Sequence, residues 1–187
     1  LLRRAVEKAL QQAKRASQMC DRILNLATRQ HLGPGPVEVA PLVAETITSL
    51  GRDLTKDSIQ VQLNIPNGLR VKANAGQLQQ VLFNIVLNAR QAMLGRPGTL
   101  SVEAEPLADN TVVIRIKDTG SGIKAEDMAR IWEPFFTTRR QGERPDQRGI
   151  GLGLTICKDI IEELEGTITA ESQPGAGTTF TITLPGI

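Results

Sequence analysis

No tyrosine occurs in these 187 residues, and there are only one tryptophan, four phenylalanines, one histidine and two cysteines. Each shortage removes a class of function. His31 stands alone and Cys20 lies far from Cys157, so the ligand spacing of a zinc site is missing and no disulfide framework can be drawn. Both thiols read instead as small buried hydrophobes in a reducing, cytoplasmic setting. No run approaches the roughly 18 apolar residues of a membrane span, and no signal-peptide pattern opens the chain. No membrane contact is expected of this part, although a parent that continues before Leu1 is compatible with an anchor. Scarce aromatics also bear on the charge. Residues 1–31 hold Arg3, Arg4, Lys8, Lys14, Arg15, Arg22 and Arg29 against Glu7 and Asp21, which leaves the rest of a chain of net charge +2 acidic. Nothing aromatic interleaves with these cations to stack bases, so they read as a solvated helix face and nucleic acid is not the expected partner.

What the sequence does have is periodicity. Residues 1–30 contain no glycine or proline, and Leu2, Val6, Ala9, Ala13, Ala16, Cys20, Ile23 and Ala27 recur at alternating steps of four and three. That seam predicts a long coiled-coil-like helix that needs a partner helix, and so a homodimer. The run "HLGPGP" (His31–Pro36) breaks it and marks a boundary, with one unit over 1–32 and another over 33–187. Beyond it, helix and strand patterns alternate. A helix is predicted from Pro41 to about Lys56, strands over Ile59–Ile65 and Leu69–Ala73, and a helix capped by Asn74 running to about Leu94. A hairpin pair follows at Thr99–Glu105 and Thr111–Asp118. A last helix runs from about Gly151 to a C-terminal cap at Gly166, before two closing strands. Local hairpins mixed with helices predict an α+β fold with helices on one face of the sheet.

Three stretches are out of keeping with a plain core. In "TVVIRIKDTGSGI" the stripe Val112, Ile114, Ile116 continues by twos onto Asp118, a carboxylate where an apolar residue is due, followed by Gly120 and Gly122. A buried carboxylate is costly without a donor, and the exocyclic amine of adenine is one such donor, with the glycines letting a flat ring approach. Taken alone, the same residues also make a good turn. In "GQLQQVLFNIVLNARQAM" Asn84 and Asn88 share one face of a helix that is otherwise apolar, flanked by Gln77 and Gln91. Either these amides bond to nearby backbone, or their oxygens take a hard cation such as Mg2+ together with phosphate oxygens. In "RGIGLGLTICKDI" Gly149, Gly151 and Gly153 lead into a helix start suited to anions, although no Walker lysine follows. Arg139, Arg140, Arg144 and Arg148 precede it in a polar stretch with the character of a lid.

Asparagine pair, aspartate with glycines, and glycine-rich helix start, in that order, resemble the catalytic and ATP-binding domain of histidine kinases. The wider family also holds gyrase, the mismatch-repair ATPases and the heat-shock chaperone ATPases. "NIVLNARQAM" resembles the N box, "DTGSGI" the first glycine box, "WEPFFTT" the F box, "GIGLGL" the second glycine box and "GAGTTFTITLP" the closing strand. The resemblance covers about residues 37–187, and residues 1–30 resemble the second helix of the dimerisation and phosphotransfer hairpin. It implies a Bergerat-type α/β sandwich, a mixed and mostly antiparallel sheet under three helices. ATP would then contact Asp118, Gly120, Gly122, Ile123, Gln91, Arg139, Gly149, Gly151, Gly153, Leu154 and Thr178, the last through a water. Asn88 would hold Mg2+ with Asn84 assisting, and Phe135 and Phe136 would anchor the lid. Implied too is γ-phosphate transfer to a histidine on a helix ahead of Leu1, then to an aspartate of a response-regulator receiver, with His31 only a linker residue. Ile150 and Arg139 depart from the residues usual at their places. Hydrolases of the family carry a glutamate at the place of Asn84, and an amide cannot take a proton from water. The alternative reading is a nucleotide-binding, ATPase or serine-kinase module of the same fold without histidine phosphotransfer.

Overall fold

A computed structural model describes residues 33–138 and 151–187. The predicted heptad helix, the dimer it implied, His31, the four arginines of the lid, Gly149 and Ile150 lie outside the described residues. The chain enters through β1 (Gly35–Glu38), which pairs antiparallel with β3 (Arg70–Ala73), Gly35 opposite Ala73. The glycine-proline run thus contains a short edge strand as well as a break. Helix α1 (Val39–Lys56) begins two residues before Pro41, which therefore sits in the first turn, where its missing N–H leaves no gap. It buries Val39, Leu42, Val43, Leu50 and Leu54, and the one buried hydroxyl on that face, Thr46, donates to Leu42 O at 2.8 Å.

The main sheet runs β2 (Ile59–Asn64), β4 (Gly98–Leu107), β5 (Thr111–Asp118), β7 (Gly177–Pro185), β6 (Thr167–Gln173). Only β2 and β4 are parallel, so the sheet is mixed and mostly antiparallel, as anticipated. Its covered face is written in the alternation: Leu100, Val102 and Ala104 on β4, Val112, Ile114 and Ile116 on β5, Phe180, Ile182 and Leu184 on β7. Helix α2 (Ala75–Ala92) lies centrally on that face, between α1 and α4 (Gly153–Glu163), burying Leu78, Val81, Leu82, Ile85, Val86 and Ala89. Asn74 caps α2 by accepting from the N–H groups of Gly76 and Gln77, an arrangement that contributes about 1 kcal/mol. A single turn, α3 (Ala125–Met128), follows the Asp118 loop. No helix of the described residues is long and apolar enough to cross a membrane.

The end of α4 differs from expectation in an instructive way. The left-handed residue is Glu165 (φ 60°), not Gly166. Gly166 N–H bonds Ile161 O and Glu165 N–H bonds Glu162 O, the paired bonds of a Schellman ending. Gly166 is needed for another reason: a Cβ there would lie 2.5 Å from Thr183 O. Glu165→Gly should therefore raise stability by about 0.5–1 kcal/mol in urea melts, since glycine removes the left-handed strain.

Candidate functional site

Asp118 closes β5 and is only 3% exposed. The strand register seats it between Leu100 on β4 and Thr178 on β7, on the face covered by the helices. Its Oδ1 accepts the N–H of Gly120 at 2.7 Å, an Asx-type bond that starts the turn. Burial pushes its pKa above the ordinary carboxylate value, while the backbone N–H groups of Gly120 and Thr178 and the charge of Arg96 pull the other way. Arg96 reaches this loop by donating to Thr119 O at 3.0 Å.

The loop after Asp118 is built by close backbone approach. Gly122 (φ 68°) has Gln173 O 2.1 Å from where a Cβ would stand, and Gly177 (φ 111°) has Asp118 O at 1.9 Å. Neither contact admits a side chain. Gly175 N–H donates to Ser121 O, and Ser121 N–H to Ala92 O, so the loop is stitched to both the β6–β7 turn and the end of α2. At Gly120 a Cβ would press on Ala92 Cβ and on Asp118 Oδ1. Ile123 is partly buried against the core.

Sequence reasoning missed Ser172. It lies opposite Thr178, which is opposite Asp118, so the three form one row across β6, β7 and β5. Ser172 Oγ accepts the Ile123 N–H at 2.8 Å, donates to Gly177 O at 2.9 Å and meets Thr178 Oγ1 at 3.0 Å. A signal was available: on β6 the half-covered positions Ile168, Ala170 and Ser172 alternate with exposed ones, and this stripe too ends on a polar residue. Three neighbouring strands thus carry their apolar stripes to one end and finish in hydroxyl, hydroxyl and carboxylate.

On α2, Gln77, Asn84, Asn88 and Gln91 meet different fates. Gln77 is tied to Glu163 of α4 at 2.8 Å and so stands outside the polar stripe. Asn84 Nδ2 makes a long bond, 3.4 Å, to Gly153 O at the start of α4. Behind it lies Cys157, whose thiol burial pushes up to about 12, opposed by a hydrogen bond from Asn84. Asn88 is half-buried one turn further on. Gln91 Oε1 is buried with no hydrogen-bond partner among the described residues, a cost that a ligand donor would remove. Among the described residues no three His, Cys, Asp or Glu side chains converge as a metal cage, so a cation here would depend on amide oxygens, water and phosphate.

Gly153 opens α4, where no side chain caps the helix and Asn84 lies alongside. Gly151 (φ 75°) has a nearer duty than phosphate: its Cβ would fall 2.5 Å from Phe135 C and Phe136 O, and its carbonyl accepts the Phe135 N–H. Of the two phenylalanines expected as anchors, Phe136 packs on the core beneath Arg130, whose guanidinium lies 4.4 Å from the ring centroid. Phe135 has a left-handed backbone (φ 64°) and is 70% exposed. Trp132 meets Phe180 edge-on at 6.2 Å and accepts the Thr155 hydroxyl on its carbonyl. Leu154 is partly buried in the same layer. The residues present fit a purine nucleotide: a buried acid, an unmet amide oxygen, and backbone kept bare by glycine.

Comparison with known proteins agrees. Residues 73–186 match the model of the family described as histidine kinase-, DNA gyrase B- and HSP90-like ATPases. The chain is 37% identical over 191 residues to sensor kinase CckA of Brucella abortus, covering 94% of this chain and 19% of that one. To sensor histidine kinase ZraS of Salmonella typhimurium it is 34% identical, covering 93% and 36%. The chain therefore spans well under half the length of these relatives. Among solved structures, the catalytic domain of histidine kinase ThkA superposes with a TM-score of 0.71 at 29% identity, over 82% of this chain and 96% of that one. ThkA in complex with response regulator protein TrrA gives 0.72 at 27%, over 95% and 49%.

Proposed function

Since this chain belongs to the histidine kinase-, DNA gyrase B- and HSP90-like ATPase family, we propose that it is the ATP-binding and phosphotransfer module of a two-component sensor histidine kinase. The observation that carries this is the buried Asp118, whose charged form burial disfavours and a base amine would satisfy. Asp118 accepts from adenine, Thr178 holds a water beside it, and Gly120, Gly122 and Ile123 line the ring. Gln91 offers its unmet oxygen to the nucleotide. Asn88 and Asn84 are the amides suited to Mg2+, which when bound neutralises phosphate charge. The bare amides at the start of α4, from Gly153 and Leu154, suit the phosphates, with Gly149, Gly151 and Arg139 completing that end.

At the N-box position, Asn84 supplies no base for water, so the module positions and neutralises rather than hydrolyses. A histidine imidazole nitrogen, supplied from the hairpin of which residues 1–32 form the second helix, bonds to the γ-phosphorus as the bridging P–O bond breaks and ADP leaves. The phosphoryl group then passes to a receiver aspartate of a response regulator, in a cytoplasmic homodimer held by the heptad seam. Residues 33–187 are the catalytic unit of that assembly.

Mixing the protein with γ-labelled ATP, Mg2+ and a hairpin carrying the missing histidine tests this. Label should move to the hairpin as an acid-labile adduct. Release of labelled phosphate instead would favour an ATPase, and binding with no turnover a nucleotide-sensing module.

A further inference from the structure

The row Asp118–Thr178–Ser172 allows its protons to be counted. Ser172 has one hydrogen and two lone pairs. The carbonyl of Gly177 only accepts, so the 2.9 Å contact uses the Ser172 hydrogen. The Ile123 N–H takes one lone pair at 2.8 Å. In the remaining 3.0 Å contact between the two hydroxyls, Thr178 must therefore be the donor. With its proton committed, the 5% exposed Thr178 presents only lone pairs to whatever lies against it.

We propose that Ser172 is a positioning residue that sets base selectivity, holding Thr178 as an acceptor next to Asp118 so that a 6-amino purine is taken and a 6-oxo purine refused. Two acceptors side by side match an amine with two hydrogens, and a water that gives both its hydrogens to Asp118 and Thr178 likewise turns only lone pairs to the base. A 6-oxo base brings an oxygen up to oxygens, and the mismatch is repulsive. Without Ser172, Thr178 is released to turn its proton outward toward such an oxygen, and discrimination falls. Ser172 also ties the first glycine loop, through Ile123, to the start of β7 at Gly177. This inference rests on the assignment of Asp118 as the base contact.

The test titrates ADP and inosine diphosphate into the 187-residue protein and its Ser172→Ala and Ser172→Thr variants, with a melting curve for each. The wild type should prefer ADP by about 30-fold, the cost of leaving a charged acceptor unmet. In Ser172→Ala that preference should shrink to about threefold, mostly through tighter inosine diphosphate binding, while Ser172→Thr keeps the hydroxyl and the preference. A lowered melting temperature in Ser172→Ala with the ADP preference intact would make Ser172 a structural clip only and overturn the inference. An intact preference at an unchanged melting temperature would overturn it as well. A wild type without preference would overturn the reading of Asp118 itself.

Discussion

Asp118→Asn is expected to weaken ADP binding by about 100-fold or more while leaving the unliganded protein at least as stable at neutral pH. An amide in place of the carboxylate turns an N–H2 group toward the base amine, so a charge-assisted bond is lost and two donors are opposed. The Gly120 N–H keeps an oxygen acceptor, so the turn after β5 has no reason to fail. The stability half of the expectation follows from the direction of the Asp118 pKa, which burial raises. A raised folded-state pKa means that the folded protein holds the proton more tightly than the unfolded chain. Stability of the unliganded protein therefore falls as pH climbs from the ordinary aspartate value through the folded one, and the asparagine variant escapes that loss. Nucleotide affinity runs the opposite way: the base needs the ionised acid, so wild-type binding should strengthen with pH across the same window and release a proton at its acid end. Calorimetry in two buffers of different ionisation enthalpy would read that proton.

Gly177→Ala is expected to cost about 3 kcal/mol or more and to take the binding site with it. A methyl group would stand 1.9 Å from Asp118 O, with φ at 111°, and backbone at both sides leaves no flexible atom to give way. The displacement would fall on the Asp118–Thr178 pairing itself. Gly175→Ala in the same turn separates the two causes. Its φ is 81° but nothing lies within 4 Å of the added carbon, so only the conformational cost of about 1 kcal/mol applies. Urea melts of the two variants should differ by roughly that margin of steric cost. Equal losses would mean that the loop relaxes freely around Gly177.

The sheet and the acid were legible because both are local. Strict alternation over Thr111–Asp118 placed the strand, its covered face and the charge that ends it, and the Asn74 cap and apolar run of α2 needed no distant partner. What sequence left open depended on chain segments meeting from afar. β1 forms in a glycine-proline run because Leu69 to Ala73 offers it a partner, and β2 joins β4 in parallel rather than its neighbour β3. Gln77 looked like part of a ligand stripe until Glu163 arrived from α4 to claim it. Glu165 rather than Gly166 adopts the left-handed turn, since the glycine is demanded by Thr183 across the fold. Ser172 ends the short stripe of Ile168 and Ala170, a faint signal whose purpose shows only when the register puts it beside Thr178.

The most direct trial of the account is the comparison of ADP with inosine diphosphate on the unaltered protein, a change of one amine for one oxygen. If that carboxylate reads the amine, ADP should bind about 30-fold more tightly and Asp118→Asn should erase the gap. Indistinguishable binding of the two nucleotides by the unaltered protein would contradict it.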